Sequence, residues 1–302
     1  MIKKIFSLDY INYQFSKSKR KIYIIATKAV TFIYKKKIPL ELLSIMEKNR
    51  LFLSGIKEYL PQGEYDAQNN NYGIQNYIYH NLMKEINLFP TYTDILTLLL
   101  REFKENNIIY LEIGTSVFKN FQQVENNLEN ATLYGYDMNK LIPSIKDKYN
   151  MTQKINKDTG KNYYYSKGKN DIYYFKNNVL SKDGADIFKT LLDKKVNIIF
   201  SDALHSKEGV LSEYENIIEG NLSDNFYYYF DDLNMYDVEE GVNEIYKDIK
   251  LTNPNIKYYS FWTYGWIGQY EKLHKMGLIT TFDIKTIFKK KNITLPLFKE
   301  IS

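Results

Sequence analysis

The chain has 302 residues, 44% hydrophobic and 25% charged, which supports a normal buried core and excludes global disorder. It has no cysteine and three histidines, which excludes disulfide frameworks, thiolate nucleophiles, zinc fingers and iron–sulfur sites and argues against a multi-histidine metal centre. The net charge is +5, but 38 of the 41 basic residues are lysine and 29 residues are tyrosine, a pattern of A/T-rich codons more than of a nucleic-acid surface, which draws more often on arginine.

The start, from Met1 to Phe15, has two lysines but no continuous apolar run after them, so no signal peptide is expected. Ile22–Tyr34 is too short for a membrane span and contains Lys28. The expectation is a cytoplasmic protein with no membrane segment. Ile22–Ile38 reads as a strand or buried helix. Pro39–Tyr59 has helical spacing closed by Pro61 and Gly63, and Ile74–Ile86 reads as a second helix. Thr91–Phe103 is a third, behind a Thr or Asp cap. Residues 1–90 are therefore expected to be a mainly helical extension that covers the sheet, forms part of the substrate site or mediates a dimer.

From residue 91 to 302 short apolar runs alternate with helical stretches. The runs are Ile108–Ile113, Thr132–Tyr136, Asp171–Phe175, Val196–Phe200, Asn225–Phe230, Ile256–Trp262 and Leu278–Phe282. Such alternation predicts an α/β domain with a mostly parallel seven-stranded sheet covered by helices on both faces. Residues 151–170 are polar and read as an insertion, either a hairpin or a loop.

In an open parallel sheet, ligands bind outside the carboxyl ends of the strands. The residues there are Glu112 and Gly114, then Asp137, Asn177 and Asn178, Asp202, and the pair Asp231 and Asp232. Gly114 permits close backbone approach, and the Asp137 carboxylate can accept both hydrogens of a ribose diol. No G-x-G-x-x-G follows the first strand, which weakens a dinucleotide reading, and there is no Walker A pattern.

The stretch Asp202-Ala203-Leu204-His205-Ser206-Lys207-Glu208-Gly209-Val210 resembles the D-G-x-H-S-Y-E-G-V segment of class I S-adenosylmethionine-dependent methyltransferases. Asp231-Asp232 resembles the acidic pair after their fifth strand. Leu111–Ser116 looks like their first motif and Tyr134–Asp137 like their second. The resemblance spans about residues 91–282 and is nearest to Mg²⁺-dependent O-methyltransferases of sugar and catechol type. It implies a Rossmann-like class I methyltransferase fold. It also implies S-adenosylmethionine held by Glu112, Gly114, Thr115, Asp137, Asn178 and Asp202, and Mg²⁺ held by Asp202, Asp231 and Asp232. His205 is the implied general base, acting on a hydroxyl of a sugar or other small diol. An imidazole suits that task near neutral pH. His80 and His274 have no such support and read as structural.

The sequence departs from the family after the first strand. A later glycine is absent, and Val117 and Phe118 are expected to crowd the cofactor's methionine end. Trp262, Tyr264 and Trp266 are read as packing residues or as a floor for a sugar ring. Two further readings stay open: an RNA or cap methyltransferase on the same fold, and a binding or scaffold protein that keeps the fold without catalysis.

Overall fold

A computed structural model describes residues 29, 32–34, 37–55, 90–103, 107–192, 194–235, 237–264 and 273–301. The expected helix Ile74–Ile86, together with His80 and Trp266, lies outside the described residues. In chain order the elements are α1 (Leu40–Gly55), α2 (Tyr92–Glu102), β1 (Ile109–Ile113), α3 (Lys119–Asn126), β2 (Thr132–Asp137) and α4 (Pro143–Lys148). Then come β3 (Thr152–Ile155), β4 (Asn162–Lys167), β5 (Asp171–Lys176), α5 (Lys182–Leu191), β6 (Val196–Ser201) and α6 (Lys207–Glu213), which runs into a π turn (Tyr214–Ile218). The chain closes with β7 (Leu222–Phe230), α7 (Val238–Thr252), β8 (Lys257–Tyr264), β9 (Leu273–Thr280), α8 (Ile284–Lys290) and β10 (Lys299–Ile301).

The strands form one sheet in the order β10-β8-β9-β7-β6-β1-β2-β5-β4-β3. Its centre is a Rossmann-like, doubly wound α/β sheet. β5, β2, β1, β6 and β7 are parallel neighbours, and β9 inserts antiparallel between β7 and β8. Three more antiparallel strands, β10 at one edge and β4 and β3 at the other, widen the sheet beyond the expected seven. The polar stretch 151–170 is the β3–β4 hairpin. The last core strand starts at Leu273, five residues before the expected Leu278, because it pairs with β8 from Leu273–Tyr264 onward. Of Ile22–Ile38, the described residues 32–34 are helical, and Phe32 and Ile33 are exposed.

The central strands are apolar on both faces because both faces are covered. Alternation along β7 sends Tyr227 and Tyr229 into one core with α1–α4 and α8, and Tyr228 and Phe230 into the other with α5–α7. All four are fully buried, so the tyrosine run is core rather than surface.

A buried ionic knot docks α1 on α2. Thr91 caps α2, and Asp94 closes the capping box by accepting from the Thr91 backbone N–H at 2.9 Å. Arg50 of α1 reaches the same carboxylate with two N–H groups at 3.0 and 2.9 Å, and Asn49 adds a third donor at 2.8 Å. Arg50 and Asp94 have no exposed side-chain surface, so this fork–fork pair is unscreened by water. The other side of the cap is tied to the sheet: Tyr264 N–H and the Thr263 hydroxyl both donate to the Pro90 carbonyl. Arg50→Ala strands a buried carboxylate and is expected to cost about 3–5 kcal/mol, read as a lowered urea midpoint. An unchanged midpoint would show that the knot is dispensable.

Candidate functional site

The chain builds β1, β2 and β5 outward in one direction, then crosses back to build β6 and β7 in the other. The switch lies between β1 and β6, where open α/β sheets bind ligands. The residues expected at strand ends do gather along this edge, in two halves.

The first half is the turn after β1. Gly114 has φ +88° and lies against Asp202, whose carbonyl oxygen would be 2.0 Å from an added Cβ. Ser116 and Phe118 also adopt left-handed backbone, at φ 47° and 63°. The expected crowding at Phe118 does not arise. Its ring turns inward against Phe121 and Tyr174, and both Val117 and Phe118 are core.

Asp137 ends β2 with one carboxyl oxygen accepting Ser116 N–H at 2.7 Å and the other accepting Asn139 N–H and the Asn139 amide at 2.8 and 2.9 Å. The Thr115 hydroxyl lies 3.5 Å away. Glu112 is turned inside and fully buried, accepting from Tyr110 at 2.5 Å and Asn120 at 2.8 Å. Burial pushes its carboxyl up to about 8, with those donors opposing. It supports the turn and is not presented to a ligand. Asn178 is exposed and uses its side-chain oxygen on Leu180 N–H, apart from the others.

The second half lies at the ends of β6 and β7. Backbone bonds set the positions: Asp202 N–H donates to Ile113 O at 2.8 Å, and Asp231 N–H to Ser201 O at 3.0 Å. Asp232 takes a left-handed conformation, φ 54°, and donates its N–H to Asp231 Oδ1 at 2.7 Å. His205 Nε2 lies 3.1 Å from Asp202 and 3.7 Å from Asp232. His274, at the start of β9, faces Asp231 and Asp232 with Nδ1 at 3.2 and 2.8 Å.

His274 is therefore not a remote structural residue. Two of the three histidines converge here, and of these only His274 belongs to the group whose ligand atoms could hold one metal ion. No local motif marks His274. Only the antiparallel pairing of β9 with β7 brings it to this edge. Two other neighbours escaped the sequence reading. Tyr92, first residue of α2, feels Asp202, Asp231 and Glu112 and is pushed well up by burial and those charges. Lys119, first residue of α3, is buried and pushed well down by burial, with Asp202 opposing.

The cluster has a deep end and a mouth. Asp231, Asp232 and His274 keep 10% or less of their side-chain surface exposed, whereas His205 keeps 35% and Asp202 25%. The groups open to solvent are thus His205 and Asp202. Its hydrogen bond to Asp202 raises the imidazole to about 9, against the opposing effect of burial. Burial, then Asp231 and Asp232, raise Asp202 to about 7. Burial works against charged His274, but Asp231 and the hydrogen bonds to both aspartates outweigh it and raise it to about 10.

The donor set fits a divalent cation. Ligand atoms of Asp231, Asp232 and His274 lie within 4.8 Å of one another. Oxygens of Asp202 and Asp232 flank His205 from the mouth side. Carboxylates alone suit Mg²⁺, and an imidazole beside them also suits Mn²⁺, Fe²⁺ or Zn²⁺.

No family model and no curated protein sequence matches this chain. Among solved structures it is similar to an rRNA methylase from Streptococcus thermophilus, with 8% identity, 63% of this chain and 96% of that one covered, and TM-score 0.39. It is also similar to the plantazolicin methyltransferase BpumL in complex with SAH, with 11% identity, 80% and 98% covered, and TM-score 0.42. A third is MycE methyltransferase in complex with Mg, SAH and mycinamycin VI, with 12% identity, 63% and 45% covered, and TM-score 0.34. No helix among the described residues is long and apolar enough to cross a membrane.

Behind the site, Glu213 of α6 is buried and accepts from Ser201 at 3.0 Å and Tyr228 at 2.9 Å. Burial raises its carboxyl to about 8, with these donors opposing. A carboxyl raised on folding contributes stability that is complete below its unfolded value, about 4.3, and lost as pH rises through about 8. Glu213→Gln removes that ionisation. Its Tm should exceed wild type by about 3 °C or more at pH 9, with the advantage shrinking toward pH 5. A pH-independent difference would contradict this.

Proposed function

We propose that the protein is an S-adenosylmethionine-dependent methyltransferase acting on a hydroxyl of a sugar or other small diol, assisted by a divalent cation such as Mg²⁺. The observation that carries this reading is the cluster Asp202, His205, Asp231, Asp232 and His274 beside the switch point, one sheet position from the Gly114–Asp137 half. Asp137 is the group that receives the ribose, and the turn from Gly114 to Ser116 borders it.

When bound, the cofactor supplies an electrophilic sulfonium methyl. A divalent cation, which Asp231 and Asp232 would hold with Asp202, would supply positive charge that makes a nearby hydroxyl more acidic. His205, in its neutral form, takes the acceptor hydroxyl proton at the ring nitrogen that Asp202 does not engage, while the Asp202 contact at Nε2 orients the ring. The acceptor oxygen gains the methyl as the sulfur–carbon bond breaks. Asp231, Asp232 and His274 form a buried floor that keeps water from the deep side.

A binding protein of the same fold is the competing reading, favoured by the donors that already engage Asp137. Titration with S-adenosylmethionine and its demethylated product separates the two. The catalytic reading expects a Kd of about 1–100 μM, weakened at least about tenfold by Asp137→Ala, each tenfold being about 1.4 kcal/mol. Absence of binding with and without Mg²⁺ would leave the binding-protein reading. With an acceptor in hand, His205→Ala should lower kcat by about 10²–10⁴ at unchanged cofactor affinity.

A further inference from the structure

We propose that the β3–β4 hairpin is a docking surface for single-stranded nucleic acid, an inference that goes beyond the methyl-transfer reading and does not depend on it. Residues 151–170 contain five lysines and one acid, Asp158. That is about twice the lysine density of the whole chain, although Lys169 is engaged by Glu125 at 3.4 Å.

The register sorts these residues. Tyr163 pairs with Lys154, Tyr165 with Thr152 and Tyr173, and Lys167 with Asp171. Directly paired residues share a face, so Lys154, Tyr163, Tyr165, Lys167 and Tyr173 lie on the same side. The lysines are exposed and the three tyrosines half-buried. The tyrosine rings form a connected row: Tyr165 lies 4.9 Å from Tyr173 between centroids, and Tyr173 lies 6.2 Å from Tyr163 at 25°. The acid on this face, Asp171, accepts from the Tyr165 hydroxyl at 3.0 Å.

The hairpin turn is tied within itself and to α5. Asn156 accepts from Asp158 N–H and Thr159 N–H, each at 2.9 Å, and donates to Thr190 of α5 at 2.8 Å. Its tip, with Lys157 and Lys161, falls on the carboxyl edge of the sheet. β4 is antiparallel to β5, and β5 is parallel to the core. The tip and Asp202 thus share one edge, four strand positions apart, roughly 19 Å.

Rings flanked by lysines match a polyanion that also offers flat bases. Lysines neutralise phosphates, and Tyr165 stacks on an unpaired base, backed by Tyr173 and Tyr163, which pack on Tyr134 and Phe175 of the core. An acidic peptide offers charge without the stacking partner, and a duplex hides its base faces.

The test is fluorescence anisotropy of the full chain with a labelled single-stranded RNA, with single-stranded DNA and duplex RNA as further arms. Single-strand binding should weaken with salt. Lys154→Ala with Lys167→Ala should reduce the slope of log K against log salt by about 1.4, two phosphate contacts at about 0.7 each. Tyr165→Ala should weaken binding about 5- to 150-fold while Tyr165→Phe retains it. Thermal melts and cofactor titration of each variant confirm that the fold and the other site are intact. Loss in RNA and DNA arms alike places the recognition on bases and phosphates; loss confined to RNA adds the ribose hydroxyl. Absence of single-strand binding, equal binding of duplex, or wild-type behaviour of Tyr165→Ala would overturn the proposal and leave the methyl-transfer reading untouched.

Discussion

The exits of β1 and β6 are pressed together at Gly114. A single added carbon there would lie 2.0 Å from the Asp202 carbonyl oxygen and 2.7 Å from the Ala203 Cα. Both neighbours are backbone and cannot swing aside, and the positive φ adds its own penalty for any side chain. This contact fixes Asp202, which returns a backbone hydrogen bond to Ile113. His205 is then placed three residues on, and the parallel ladder from β6 to β7 carries Asp231 and Asp232 to the same edge. Separating those two exits would dismantle the cluster without altering any of its side chains.

The cluster survives in a poorly hydrated place because its charges nearly cancel. Three carboxylates face two imidazoles, and the most buried carboxylates share the most buried imidazole. An isolated carboxylate at that depth would take up a proton instead. A net deficit of one positive charge remains when all five groups are ionised. A cation seated among the carboxylates would offset that deficit.

Much of this was legible from residue order. Apolar runs gave the parallel strands, a Thr or Asp cap announced the start of α2, and polar residues after strands marked the edge where the candidate site gathers. What was illegible depended on pairing. His274 joins the site through an antiparallel register that no local pattern encodes. Glu112 looked like a ligand residue, yet Tyr110 and Asn120 turn it inward, and alternation along β1 could not reveal those donors. Phe118 looked obstructive because its left-handed backbone, which swings the ring into the core, is rare for a large side chain. The hairpin was foreseen as one of two options, and only its pairing to β5 showed that it extends the sheet.

The knot between Arg50 and Asp94 bears on how the chain can be divided. Leu42, Ile45 and Met46 of α1 share one core with the sheet, and Asp94 depends on a guanidinium 44 residues upstream. The natural cut, just before the capped helix α2, therefore passes through a single electrostatic unit. A fragment beginning there would inherit a bare carboxylate at its own first turn and an uncovered apolar face beside it. Modularity ends where a helix cap is completed by a residue from another element.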